Sequence, residues 1–192
     1  MQRKISLFRI AHSKGDVAAV TAVIERGSQW TEGPEIKQFE DKIAKYVGSE
    51  YAVSFSSGTA ALHSTLHLCL DKNRKDVIVP AFTFISTVNA VVFAGGKPIF
   101  ADIEPETMGL SYESVEQRIT LNVSAVILVH YAGFPARDTL KIRDLCTKHN
   151  IILIEDAAES FGAKIGSKYV GTFGYAGMYS YCENKSLSSG AE

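Results

Sequence analysis

Ala125-Val126-Ile127-Leu128-Val129 and Ile151-Ile152-Leu153-Ile154-Glu155-Asp156 bracket a helix-like stretch from Arg137 to His149. The first run is apolar throughout, as a strand covered on both faces of a sheet must be. The second is apolar until it ends on two acids. Between them Ile142, Leu145, Cys146 and His149 fall at helical spacing. Strand, helix and strand in that order predict a parallel pair joined by a crossover. This unit decides the fold class: α/β, with a mostly parallel sheet and helices on both faces.

The alternation continues upstream. Val77-Ile78-Val79-Pro80 and Pro98-Ile99-Phe100-Ala101-Asp102 read as strands, with a helix from Ser86 to Ala94 between them. Ser111 can cap a helix carrying Tyr112, Val115 and Ile119 on one face. A helix from Thr59 turns Leu62, Leu66 and Cys69 inward, and Tyr51-Ala52-Val53-Ser54-Phe55 before it reads as a short strand. Near the start, Asp16 can cap a helix with Val17, Val20 and Ile24, closed by Gly27. A loop over Ser28 to Pro34 leads to a second amphipathic helix with Ile36, Phe39, Ile43 and Val47, ended by Gly48. In a sheet of this kind ligands bind at the C-terminal ends of the strands.

Composition narrows the function classes. A length of 192 residues predicts one domain, and 46% hydrophobic content is ordinary for a globular protein. A net charge of −1 offers no broad basic surface for nucleic acid or anionic membrane. No apolar run approaches the roughly 20 residues that span a bilayer. Met1-Gln2-Arg3-Lys4 is basic, but Ile5 to Ile10 is too short and too polar for a signal peptide. Three cysteines cannot all pair. Cys69 and Cys146 on apolar helical faces read as buried free thiols of a reducing, cytoplasmic protein. The chain stops soon after Lys185, on Gly190-Ala191-Glu192, which reads as part of a longer protein.

Three elements, in chain order, point to one cofactor. Ser56-Ser57-Gly58-Thr59 is a small polar turn that opens a helix, where unpaired backbone N–H groups and the helix dipole favour an anion. Asp156 ends a strand and precedes the small residues Ala157 and Ala158, so a flat ring can come close. Lys185 follows a further strand-like segment. The turn can take a phosphate, the acid a pyridine nitrogen and the lysine an aldehyde, which is the set that holds pyridoxal 5′-phosphate.

Each element also has a plainer reading. The turn can be an ordinary helix cap. Asp156 can cap a helix or, with Glu155 and Glu159, hold a metal, although no histidine stands beside those acids in sequence. The aromatic residues of Pro80 to Thr87 can lie over a cofactor ring or simply pack in the core. His63 and His67 have the i, i+4 spacing of a metal pair but lack a third ligand, so they read as surface or core histidines. His130 to Pro135 is a site-lining loop or a plain turn. Cys182, near Lys185 but with no histidine close in sequence, reads as a filler residue and not a nucleophile.

Several motifs in order carry a resemblance to a known family. They are Trp30-Thr31-Glu32-Gly33-Pro34, Ser57-Gly58-Thr59-Ala60-Ala61-Leu62, Val79-Pro80-Ala81-Phe82-Thr83-Phe84 and Val129-His130-Tyr131-Ala132-Gly133-Phe134-Pro135. Ile154-Glu155-Asp156-Ala157-Ala158-Glu159-Ser160 and Ser180-Tyr181-Cys182-Glu183-Asn184-Lys185 complete the set. The chain resembles the DegT/StrS family of pyridoxal-phosphate-dependent nucleotide-sugar aminotransferases, of the aspartate aminotransferase fold type. The resemblance implies that residues 1–192 form a cofactor-binding large domain, without the closing small domain. It implies that Lys185 holds the cofactor covalently and that Asp156 pairs with the ring nitrogen. Gly58, Thr59 and Ser180 match the phosphate contacts, Phe84 the aromatic stacked on the ring, and Glu159 a position near the ring hydroxyl.

Glu159 and Asn184-Lys185 resemble perosamine-type members, which implies amination of a 4-keto-6-deoxyhexose. The partners so implied are a nucleotide sugar, glutamate as amino donor, and a second copy in a homodimer. The segment after Lys185, Ser186 to Glu192, is poorer in Thr and Gly than the family's usual one. Two other functions stay open. Related sugar dehydratases place His where Lys185 stands, and a regulatory or scaffolding homologue would keep the fold without catalysis.

Overall fold

The computed structural model describes residues 9–189. The basic Met1-Gln2-Arg3-Lys4 start, most of the Ile5 to Ile10 stretch and the final Gly190-Ala191-Glu192 lie outside those residues. The chain divides into two compact units, with Ser54 the last residue of the first and Phe55 the first residue of the second.

The first unit holds two helices, α1 (Lys14–Glu25) and α2 (Pro34–Val47). Asp16 does not cap α1. Ser13 does: its Oγ accepts the Asp16 N–H at 3.3 Å, while Asp16 Oδ2 accepts the Ser13 N–H at 2.7 Å. Asp16 is thus the returning half of a capping box, one turn inside the helix. Val17, Val20 and Ile24 are exposed. Pro34 starts α2 where no N–H is needed, and Gly48 ends it at φ 77°. Arg26 pairs with Glu35 at 2.7 Å and ties the end of α1 to the start of α2.

The strand expected over residues 51–55 does not form. Glu40 Oε1 accepts both the N–H and the hydroxyl of Ser54, at 2.8 and 3.0 Å. That backbone donor is therefore spent on a side chain and not on a sheet ladder.

The second unit is built on five parallel strands in the order β2-β1-β3-β4-β7. They are β1 (Asp76–Pro80), β2 (Lys97–Ala101), β3 (Val123–Val129), β4 (Ile152–Asp156) and β7 (Ala176–Met178). A separate antiparallel hairpin joins β5 (Lys164–Ile165) to β6 (Lys168–Tyr169). The helices are α3 (Gly58–Cys69), α4 (Ile85–Phe93), α5 (Tyr112–Glu116) and α6 (Thr139–Lys148).

All seven residues of β3 are buried, as its unbroken apolar run predicts. Alternate side chains feed two cores. Val126, Leu128 and Leu153 join Ile142 and Leu145 of α6 on one face. Ala125, Ile127 and Ile154 join Leu62 and Leu66 of α3 and Ala90 and Val91 of α4 on the other. Each fully buried Leu, Ile or Val stabilises the fold by about 1.5–3 kcal/mol. The two layers of helix over one parallel sheet are the architecture expected of the 125–156 unit.

The hairpin and β7 carry no apolar run that would announce them. Glycine defines their path instead. A Cβ on Gly177 would lie 2.0 Å from the Gly171 carbonyl oxygen, so only glycine lets β7 pass that close to the preceding loop.

Candidate active site

The chain reverses direction across the sheet between β1 and β3, which creates a crevice at their C-terminal ends. A cavity of about 250 Å³ opens there. Its walls come from the C-terminal ends of the strands and the loops beyond them: Thr83, Phe84, Ser86 and Thr87 after β1, and His130 and Tyr131 after β3. Asp156, Ala158 and Glu159 come from the end of β4 and its loop, and Ser180, Cys182, Asn184 and Lys185 from the segment after β7. Ser57, Gly58 and Thr59 close the cavity from the start of α3. Lys185, Asp156, Gly58, Thr59, Phe84, Glu159 and Ser180 therefore all line one cavity, although they span most of the sequence.

Asp156 is the last residue of β4 and is buried. Its Oδ2 accepts the Thr87 hydroxyl at 2.8 Å and its Oδ1 accepts the Ala158 N–H at 3.2 Å. Burial pushes the carboxyl above the usual carboxylate range, and these two hydrogen bonds counter it in part. Among the described residues no cation forms an ion pair with Asp156.

Ser57 caps α3, its Oγ accepting the Ala60 N–H at 3.1 Å. The N–H groups of the first turn, from Gly58 and Thr59, have no partner within the helix. A Cβ on Gly58 would sit 2.8 Å from Met178 Sδ, so glycine lets this turn approach the end of β7. Thr59 donates its hydroxyl to Ser86 Oγ at 2.8 Å. Ser180 Oγ accepts the Cys182 N–H at 3.3 Å.

Lys185 Nζ lies 3.5 Å from Glu159 Oε1, and Glu159 Oε2 accepts the Ala132 N–H at 2.8 Å. Glu159 thus fastens the loop after β3 while facing the lysine. Phe84 is 74% exposed at the rim of the cavity, so core packing does not account for it. Phe82 meets Tyr131 edge to face, with ring centroids 5.0 Å apart.

Two features escaped sequence reasoning. Thr83 and Thr87 touch through their hydroxyls at 3.0 Å. Their i, i+4 spacing just past a strand end was the available signal. The second is a buried pair on the reverse face of the sheet: His130 Nε2 lies 2.9 Å from Glu155 Oε2. No histidine neighbours Glu155 in sequence, but the β3–β4 register sets Val129 opposite Asp156 and brings His130 alongside. Glu155 also accepts the N–H groups of Gly171, Phe173 and Gly174. His63 meets His67 edge to face at 6.4 Å and Phe93 at 6.0 Å, an aromatic cluster between α3 and α4. No group of three or more His, Cys, Asp or Glu among the described residues could hold a metal.

Solved structures share this architecture. An aminotransferase from Psychrobacter cryohalolentis superposes with a TM-score of 0.88 at 33% identity, covering 96% of this chain and 47% of its own. An E. coli GDP-4-keto-6-deoxy-D-mannose-3-dehydratase with bound hydrated PLP gives 0.86 at 29% identity, covering 95% and 48%. The fold is accordingly the α/β fold of PLP-dependent transferases. A sequence model of the DegT/DnrJ/EryC1/StrS aminotransferase family matches residues 11–191, and the chain belongs to that family. A GDP-perosamine synthase of Vibrio cholerae is 38% identical over 167 residues, which is 87% of this chain and 45% of the relative. The chain thus spans about half the length of the proteins it matches.

Proposed function

We propose that this chain carries the cofactor site of a pyridoxal-phosphate-dependent aminotransferase. It would move an amino group from glutamate to a nucleotide-linked 4-keto-6-deoxyhexose. The observation that carries the reading is the convergence of Lys185, Asp156 and the Ser57-Gly58-Thr59 turn on one cavity. The residues fit the group: a buried carboxylate without an ion-pair partner suits a protonated ring nitrogen, and the open first turn of α3 suits a phosphate.

In this reading Gly58, Thr59 and Ser180 would hold the phosphate, Phe84 would take the ring and Lys185 would take the aldehyde. Asp156 keeps a proton on the ring nitrogen. Bound pyridoxal phosphate supplies an electron-withdrawing ring that stabilises negative charge on the reacting carbon. Lys185 Nζ would move a proton in the reaction, first as base and then as acid. Glu159, 3.5 Å away, orients that amine. The lysine also argues against the dehydratase reading, which needs histidine at this position.

Similarity to GDP-perosamine synthase supports amination at C4. A homodimer and a cytoplasmic location complete the reading. Exposed Phe82, Phe93 and Phe100 support the first, and three unpaired cysteines the second. No helix among the described residues is long and apolar enough to cross a membrane.

The test is incubation of the protein with pyridoxal phosphate, glutamate and either a 3-keto or a 4-keto nucleotide sugar, read by mass spectrometry. Amino sugar from the 4-keto substrate is expected. Product only from the 3-keto substrate rejects the C4 assignment, and product from neither rejects the aminotransferase.

A further inference from the structure

We infer that Thr87, backed by Thr83, is a positioning residue that fixes the Asp156 carboxylate for a cationic partner in the cavity. The inference rests on the proposed cofactor for the identity of that partner, but its geometry stands independently. Thr87 is buried and its Oγ1 lies 2.8 Å from Asp156 Oδ2. Thr83 Oγ1 lies 3.0 Å from Thr87 Oγ1.

The direction of both hydrogen bonds comes from proton counting. An ionised carboxylate has no proton to give, so Thr87 donates to Asp156. A hydroxyl has one proton, so Thr87 must then accept from Thr83. The two threonines form a relay that ends on the acid. β-Branching restricts χ1 in both, which holds the donors in place. The Ala158 N–H occupies Oδ1, so the carboxylate is fixed at both oxygens. Acceptor capacity remains on each oxygen for a ligand.

Thr87 also lies in the first turn of α4, whose nine residues direct their dipole's positive end towards this region. The other ionisable groups around Asp156 are Lys185 and Glu159 on the cavity wall, and His130, whose Nε2 faces Glu155. None forms an ion pair with Asp156. The relay and the Ala158 N–H are therefore the direct contacts that favour the charged acid against its burial.

The experiment monitors Asp156 directly. Protein carrying carbon-13 at aspartate carboxyls is titrated by NMR without cofactor, with Asp156→Asn assigning the signal. Thr87→Val, Thr87→Ser and Thr83→Val are compared. Pyridoxal phosphate affinity is then measured on each by visible absorbance. Thr87→Val should raise the Asp156 titration midpoint and weaken cofactor binding roughly ten- to hundredfold, the effect of losing a hydrogen bond to a charge. Thr87→Ser should restore both. Thr83→Val should shift the midpoint in the same direction, by less.

A purely structural threonine would leave the midpoint unmoved, so an unchanged midpoint in a folded Thr87→Val protein overturns the inference. Failure of Thr87→Ser to restore it does the same. If Thr87→Val does not fold, an unchanged midpoint in Thr83→Val overturns it instead. Midpoints that move as stated in a protein that binds no pyridoxal phosphate would uphold the relay and refute the proposed function.

Discussion

Glu155→Gln should destabilise the protein although it changes neither size nor shape. Glu155 is fully buried and points to the sheet face opposite Asp156, its neighbour in sequence. Its Oε1 accepts the N–H groups of Phe173 and Gly174, the latter at 2.6 Å. Its Oε2 accepts the Gly171 N–H at 2.8 Å and faces His130 Nε2 at 2.9 Å. His130 Nδ1 accepts the Ala136 N–H at 3.0 Å, so the imidazole proton sits on Nε2 and points at Glu155. Four donors converge on an acceptor-only group.

Glutamine keeps one oxygen and presents an NH₂ where the other stood. Two donors then meet a donor. Each buried unsatisfied donor costs about 1–3 kcal/mol, so the variant should lose about 2–6 kcal/mol. That is a large part of the roughly 5–15 kcal/mol that holds a domain together. Urea unfolding of the cofactor-free protein, followed by far-UV circular dichroism, gives the difference. Amide exchange at Gly171, Phe173 and Gly174 should accelerate in the same variant. A loss below about 0.5 kcal/mol with unchanged exchange would refute the clamp, because a converging set of donors cannot lose its acceptor at so small a penalty.

Four further outcomes are expected. Lys185→Ala should acquire no mass when treated with pyridoxal phosphate and borohydride, whereas the parent protein gains one cofactor; an adduct in the variant would unseat Lys185. Asp156→Asn should slow transamination about a hundredfold or more, by removing charge stabilisation at the ring nitrogen. The same variant should raise the Tm of the cofactor-free protein at pH 7. Burial lifts the folded-state pKa of Asp156 above 3.8, so its contribution to stability is fully present below that value and is lost as pH rises through the folded pKa. The gain in Tm should shrink on acidification, and a gain that persisted at low pH would contradict this origin. Cys146, buried in the core with its thiol pushed up to about 12, should resist alkylation at pH 7.5 until the protein is unfolded, as mass spectrometry of the labelled peptides would record.

The sheet was legible because its central strands are buried on both faces. Val123 to Val129 cannot be anything amphipathic, and Ile142, Leu145 and Cys146 announce the helix that covers it. Asp156 and the Ser57 turn were legible as candidate cavity residues because one ends β4 and the other opens α3, whereas Lys185, in the irregular segment after β7, was legible only from its motif. The misreadings have a common cause. Tyr51 to Phe55 has strand composition, but a strand needs a ladder partner, and Glu40 took a backbone donor. Asp16 has cap chemistry, but Ser13 stands one turn earlier. The His130–Glu155 pair depends on the register between two strands, and the close pass of Gly177 by Gly171 on tertiary geometry. Local sequence carries neither.

Among the described residues the last strand of the sheet, β7, is only three residues long and pairs with β4 alone. It nevertheless carries Ser180 and Lys185 to the cavity. So short a ladder should open at a lower free energy than the longer strands β1, β3 and β4. The amides of the Lys185 segment should then exchange with solvent faster than those of β1, β3 and β4. Glu155 accepts the N–H groups of Gly171, Phe173 and Gly174 just before β7 and so ties that approach to the sheet. Displacement of Lys185 from the cavity and loss of the fold should be separable by hydrogen exchange in mild denaturant.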